Sequence, residues 1–140
     1  MSRFSMLRRA SSALCCGLLL SLAGCGSAER PSAVVSGEVH RDGKPLLTGV
    51  ISFHGEDGRV ATGAVENGEF EVTKVPLGKN RVTVQATPSV TTDSEGKPIP
   101  GPDAASFVPL PARYGDPAQS GLTAEVTSDT NSDTFELTSS

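Results

Sequence analysis

From Val34 onward, apolar and polar residues alternate in short runs broken by Gly, Asn, Asp and Pro. A period of two predicts half-buried strands, and turn signals about every ten residues predict an all-β sandwich or barrel. VVSGEVH at 34–40 is the first expected strand, followed by Asp42-Gly43, which tolerates the positive φ angles of a two-residue hairpin turn. GVISFHG at 49–55 sets Ile51 and Phe53 against Val50, Ser52 and His54, which assigns one face to the core. EDGR at 56–59 reads as a turn, RVATGAV as a strand and Asn67-Gly68 as a second hairpin signal. EFEVT at 69–73 places Phe70 and Val72 on one face, VPLGK at 75–79 reads as a Pro/Gly turn, and NRVTVQA at 80–86 aligns Val82 with Val84.

After Ala86 the pattern breaks. Residues 88–117 contain Pro88, Pro98, Pro100, Pro102, Pro109, Pro111 and Pro117. Proline fixes φ and removes a ladder donor, so no central strand is expected there. A loop of this length inside a small domain is ordinarily functional or disordered. Strands resume at GLTAEVT (121–127) and DTFELTS (133–139), which brings the expected total to about seven. The core is valine-rich, with Phe53, Phe70, Phe107 and Phe135 as its large members and no Trp anywhere in the chain. Such a domain folds alone with little stability to spare.

The first residues follow different rules. Arg3, Arg8 and Arg9 precede an uncharged stretch from Ala10 to Gly24, the build of a secretory signal peptide. A spanning helix needs about 20 predominantly apolar residues, and this shorter run is interrupted by Ser11, Ser12, Gly17 and Ser21. Leu22-Ala23-Gly24-Cys25 resembles a bacterial lipobox. The resemblance implies recognition of Leu22, Ala23 and Gly24 by a signal peptidase, cleavage before Cys25, and lipid on the Cys25 thiol with acylation of the new amino terminus. One acyl chain anchors marginally at ~0.8 kcal/mol per buried CH₂, whereas two or more hold stably. The expected division is therefore 1–24 signal peptide, 25–33 lipidated tether and 34–140 β-sandwich carrying the proline-rich loop 88–117.

Processing changes the picture of charge and thiols. Cys15 and Cys16 leave with the signal peptide and Cys25 is capped, so neither a disulfide nor a free thiol is expected. Nine basic residues then face sixteen acidic ones, a balance of −7 instead of −4. An acidic surface repels phosphate backbones, so no nucleic-acid partner is expected.

SGEVHRDGKPLLTGVISF, ENGEF and VPLGKNRVTVQA together resemble the carboxypeptidase regulatory-like domain, a transthyretin-like (prealbumin-like) β-sandwich. The matched positions from Gly37 to Ala86 are turn and packing residues, so the resemblance implies a fold and no active site. Asn80 stands where that family usually carries an aromatic. Pro111-Ala112-Arg113-Tyr114-Gly115-Asp116-Pro117 resembles a segment of small lipoproteins of planctomycete-type bacteria, which extends the likeness over nearly the whole mature chain.

Candidate chemistry is sparse. His40 and His54 lack the partners of a zinc site, and His54 alternates in phase with a solvent-facing strand surface. No G-x-S-x-G elbow occurs, and Arg113-Tyr114-Gly115 does not match the Tyr-Arg-Gly-Ser ending of the transthyretin-like hydroxyisourate hydrolases. Asp129-Thr130-Asn131-Ser132-Asp133 opens like a calcium loop, but Thr134 and Ser140 occupy the required Gly and Glu positions, so a polar hairpin turn is expected. Glu66, Glu69 and Glu71, with Glu56 and Asp57, read as a solvated face, since glycosidase-like carboxylates would lack an aromatic sugar platform. Tyr114 is expected to pack inside the loop.

No catalytic residue, cofactor or metal is expected. The sequence leads to a lipid-anchored module of the bacterial cell envelope, held by Cys25 and facing the periplasm or the cell exterior. Its expected partner is an envelope protein met by the loop 88–117. Binding of a small molecule or glycan is the alternative, and a hydrolase with an unrecognised site stands behind both. Gly26 after the cysteine favours outer-membrane sorting under the usual proteobacterial rule.

Overall fold

A computed structural model describes residues 29–140, so Cys25, the peptidase-recognition residues and the signal peptide lie outside the described residues. The described chain is all-β, with no α-helix. Its strands are β1 (Ser32–Arg41), β2 (Lys44–Pro45), β3 (Thr48–Gly55), β4 (Val60–Glu66), β5 (Glu69–Pro76), β6 (Gly78–Ala86), β7 (Val90–Thr92), β8 (Pro98–Pro100), β9 (Leu122–Val126) and β10 (Asn131–Leu137). β1 begins at Ser32, slightly ahead of the expected start, because Ser32 and Ala33 pair with Pro76 and Val75.

Both hairpin signals form as expected. Asp42 and Gly43 adopt φ 51° and 77°, and Asn67 and Gly68 adopt 52° and 85°, the twist that matches flanking strands. They close Arg41 against Lys44 and Glu66 against Glu69. The alternation places Val35 and Val39, Ile51 and Phe53, Ala61 and Val65, Phe70 and Val72, Val82 and Val84, Ala124 and Val126, and Phe135 and Leu137 in one buried core.

Seven strands run in the order β10-β1-β5-β4-β3-β6-β9, and β2 pairs with β1. The sheet curls between β4 and β5. β4 pairs with β3 from Val60 to Glu66 but with β5 only at Val65–Phe70 and Glu66–Glu69. Two layers thus face each other, and Phe53 of β3 meets Phe70 of β5 and Phe135 of β10 at centroid distances of 6.0 and 6.3 Å.

Two expected turns are corners between the layers. β5 and β6 are separated only by Leu77 yet do not pair; the chain passes from beside β1 to beside β3. The Asn80 side chain is fully buried there and donates to the Pro76 and Gly78 carbonyls at 2.8 and 3.0 Å. Residues 127–130 likewise cross from β9 at one end of the sheet to β10 at the other. The expected polar hairpin is therefore a crossover, held by Asn131. Its amide donates to the Thr127 and Asp129 carbonyls at 2.9 and 2.7 Å, and its Oδ1 accepts the Thr127 N–H at 2.9 Å.

The second crossover explains why β10 joins β1 in parallel, the exception in an otherwise antiparallel sheet. Gly37 lies in the middle of β1, paired with Phe70 on one side and Asp133 on the other. A Cβ at Gly37 would press onto the Asp133 backbone carbonyl oxygen, so only glycine permits this approach.

Gly37→Ala is expected to cost about 1–3 kcal/mol, since backbone must move to admit the methyl; denaturant unfolding measures it, and an unchanged midpoint would contradict the packing described. Burial raises the Asp133 carboxyl above its ordinary value. The native state then holds that proton more tightly than the unfolded chain, so this residue's contribution worsens as pH rises through the carboxylate range. Asp133→Asn is expected to raise Tm at pH 7, and the gain should shrink below about pH 4, where the carboxyl is protonated in both states.

Candidate functional site

The segment between β6 and β9 folds back onto one pole of the domain. Asp93 shapes the tip of the β7–β8 hairpin by accepting the Glu95 and Lys97 N–H groups on Oδ1, both at 2.9 Å. Short 3-10 turns follow at Ala104–Ser106 and Ala112–Gly115. Pro98 and Pro100 are tolerated because β8 pairs only with β7 and leaves its other edge outside the main sheet, and the remaining prolines of the segment lie outside the strands.

Two side-chain clusters pin the segment. Arg41, at the end of β1, donates from Nη1 to the Val108 carbonyl at 2.6 Å and from Nε to Ser139 Oγ at 3.1 Å. Asp42 accepts both the Ser139 N–H, at 3.1 Å, and the Ser139 hydroxyl. Those hydrogen bonds hold the Asp42 carboxyl below its ordinary value. Tyr114 is buried, as expected, and its hydroxyl accepts the Thr138 N–H at 3.0 Å. Arg113 donates to the same hydroxyl at 3.1 Å and to Thr138 Oγ1 at 2.9 Å, with its guanidinium 4.7 Å from the ring centroid. The first cluster ties the segment to β1 through Arg41, and the second ties it to Thr138, just after β10.

Between the pinned segment and the β2–β3 connection lies a cleft of about 850 Å³. Leu46, Leu47, Ala86, Phe107 and Val108 supply its apolar surface. Leu47 and Val108 remain 53% and 57% exposed and line the same cleft, so their apolar surface forms one patch there. Lys44 and Asp103 line it too, and Ser89 carries a buried hydroxyl with no hydrogen-bond partner among the described residues. The loop 88–117 thus contributes one wall of the cleft. Arg41, Leu46 and Leu47 are members that the strand pattern did not single out, and Asp42 reads there only as a turn residue. The adjacent Leu46-Leu47, out of phase with the alternation, was the available signal.

The other candidates are scattered. His40 contacts Glu136 at 2.9 Å and Glu38 at 3.5 Å, and no hydroxyl. His54 Nε2 lies 3.0 Å from Thr83 Oγ1, half-buried instead of fully solvent-facing, with no carboxylate partner among the described residues. A relay needs a hydroxyl and a carboxylate on one histidine, and among the described residues neither His40 nor His54 has both. Glu66, Glu69 and Glu71 are exposed around a concavity shared with Glu38, while Glu56 and Asp57 sit in the distant β3–β4 turn. No cluster of three or more His, Cys, Asp or Glu suited to a metal occurs among the described residues.

No family model and no curated protein matches the chain. Among solved structures, it is similar to BcpA, the major pilin subunit of Bacillus cereus, with a TM-score of 0.43 and 13% identity over 78% of this chain and 30% of that one. It is also similar to a 9R-lipoxygenase from Cyanothece, with a TM-score of 0.38 and 17% identity over 76% of this chain and 16% of that one. The chain therefore spans less than a third of either protein.

Tyr114→Phe removes the acceptor of the Thr138 N–H and is expected to cost about 1–2 kcal/mol. The diagnostic readout is local: amide exchange at Thr138 should accelerate while exchange in β3 tracks only the global change. Uniform acceleration across the domain would show that the phenol does not fasten this segment.

Proposed function

We propose that this chain is a lipid-anchored envelope protein whose β-domain, of the carboxypeptidase regulatory-like and transthyretin-like kind, serves as a non-catalytic protein-binding module. The anchor reading rests on Leu22-Ala23-Gly24-Cys25. The binding reading rests on one observation above all: the proline-rich segment builds an apolar cleft and leaves Leu47 and Val108 exposed on it. Two hydrogen-bonded clusters hold that surface in place, which lowers the ordering cost a partner would otherwise meet. An extended, mainly apolar segment of an envelope protein suits such a cleft. Its polar ends would find Lys44 and Asp103.

A small apolar ligand is the second reading, favoured by the volume alone, since ligand pockets usually span about 300–1,000 Å³. Glycan binding lacks support, because Tyr114 is buried and offers no stacking face.

A photo-crosslinking residue placed at Leu47 or Val108 of the full-length lipoprotein, in cells, is expected to capture one recurrent protein. The same residue at Glu71, away from the cleft, should not capture it. Absence of any product above the Glu71 background would overturn protein binding at the cleft. For the anchor, Cys25→Ser is expected to move the protein from the membrane fraction to the soluble one.

A further inference from the structure

The tether and the cleft leave the domain at opposite poles. β1 runs from Ser32, beside Pro76, to Arg41, which lines the cleft. Its ten residues make a rod of roughly 30 Å at ~3.3 Å per residue. The remaining strands agree on this polarity. The cleft takes the start of β3 at Thr48 and the end of β6 at Ala86, whereas Gly55 and Gly78 close the tether pole.

The tether is also gripped at its own pole. Arg59, at the end of the β3–β4 turn, donates from Nη2 to the Pro31 carbonyl at 3.0 Å and from Nη1 to the Arg30 carbonyl at 3.3 Å. Asp57 fixes the guanidinium from behind, accepting Arg59 Nε at 2.6 Å and the Arg59 N–H at 3.0 Å. A planar fork held on one side and donating to two successive carbonyls sets the direction in which the chain departs.

We infer that the Asp57–Arg59 clasp orients the anchored domain so that the loop cleft points away from the bilayer, toward a partner in the aqueous compartment. This rests on the anchor reading at Cys25. The physical reason is reach. With Arg30 held to the body, the chain from Cys25 to Arg30 extends at most ~18 Å whatever its conformation. That is shorter than the rod separating the two poles, so the domain cannot turn over and lay its cleft on the lipid. The apolar surface at Leu47 and Val108 therefore meets proteins and not acyl chains.

The mature protein carries Cys25 as its sole cysteine, and lipid caps it, so a single introduced cysteine can be labelled alone. The lipidated protein would be reconstituted in phosphatidylethanolamine/phosphatidylglycerol vesicles containing headgroup-linked quencher, with a fluorophore at Glu56→Cys or Ser106→Cys. Strong quenching at position 56 and several-fold weaker quenching at 106 is the expected result. Adding Arg59→Ala frees Arg30 and Pro31 and lengthens the reach from Cys25 to Ser32 to at most ~25 Å, still too short for inversion but enough to widen the tilt, so it should narrow that difference. Equal quenching at both positions in vesicle-bound protein would overturn the orientation while leaving the anchor intact. Vesicle flotation that is unchanged by Cys25→Ser would overturn the anchor itself, and the orientation with it. An unchanged difference on Arg59→Ala would remove the clasp from its role.

Discussion

Three phenylalanine rings hold the two layers together, and everything at the poles depends on that contact. Phe53, Phe70 and Phe135 lie on three different strands, with centroids 6.0–6.3 Å apart in tilted or edge-on arrangements. The rest of the core is mostly valine and alanine, so these rings supply the largest apolar surfaces across layers about 10 Å apart. Truncating one such ring typically costs about 3–5 kcal/mol, a large part of the 5–15 kcal/mol that ordinary domains possess. The triangle is central in another sense too. Gly37 pairs with Phe70, and Val39 with Phe135, so the close approach of β1 to both partners keeps two of the rings in register.

Around that centre the poles divide their tasks. At the tether pole, the chain crosses between layers at two corners, and each is stapled by a buried asparagine, Asn80 or Asn131. These amides replace the backbone ladder that a hairpin would have provided at the same place. Asn80 does so with its Oδ1 left without a partner among the described residues, so its position is held at some cost. At the opposite pole, the chain instead carries a long excursion whose own side chains, Arg113 and Tyr114, grip the end of the sheet. A surface exposing Leu47 and Val108 is kept there, away from the corners on which the fold relies. Another cost is visible on the outer face, where Glu38, Glu69 and Glu66 stand side by side across three strands. Like charges directly opposite each other destabilise a sheet pair by tenths of a kcal/mol up to about 1.

Legibility differed between fold and site for a definite reason. Alternation made the strands readable, since a buried face requires apolar residues at every second position. Asp42-Gly43 and Asn67-Gly68 marked their hairpins because few residues accept positive φ. By the same logic the proline-rich segment was readable as something other than a strand. Its role in building a cleft was not, because Val108 and Leu47 are remote in sequence and line one cleft only in the folded chain, where Arg41 binds the Val108 carbonyl. His40 and His54 drew attention as isolated chemistry, yet their neighbours Glu136 and Thr83 come from other strands.

The amino-acid pattern alone thus determined where the strands lie, which residues face inward, which turns are tight and where a lipobox-like cysteine sits. Tertiary structure decided which strands are neighbours. VPLGK reads as a Pro/Gly turn and the Asp129–Asp133 stretch as a polar hairpin turn, but both carry the chain across the sandwich, and the second sends β10 parallel to β1. A period of two specifies the buried face of a strand and says nothing of its partner. Partners are chosen by the closing of the layers over Phe53, Phe70 and Phe135, by the bare backbone at Gly37, and by buried amides that secure the crossings.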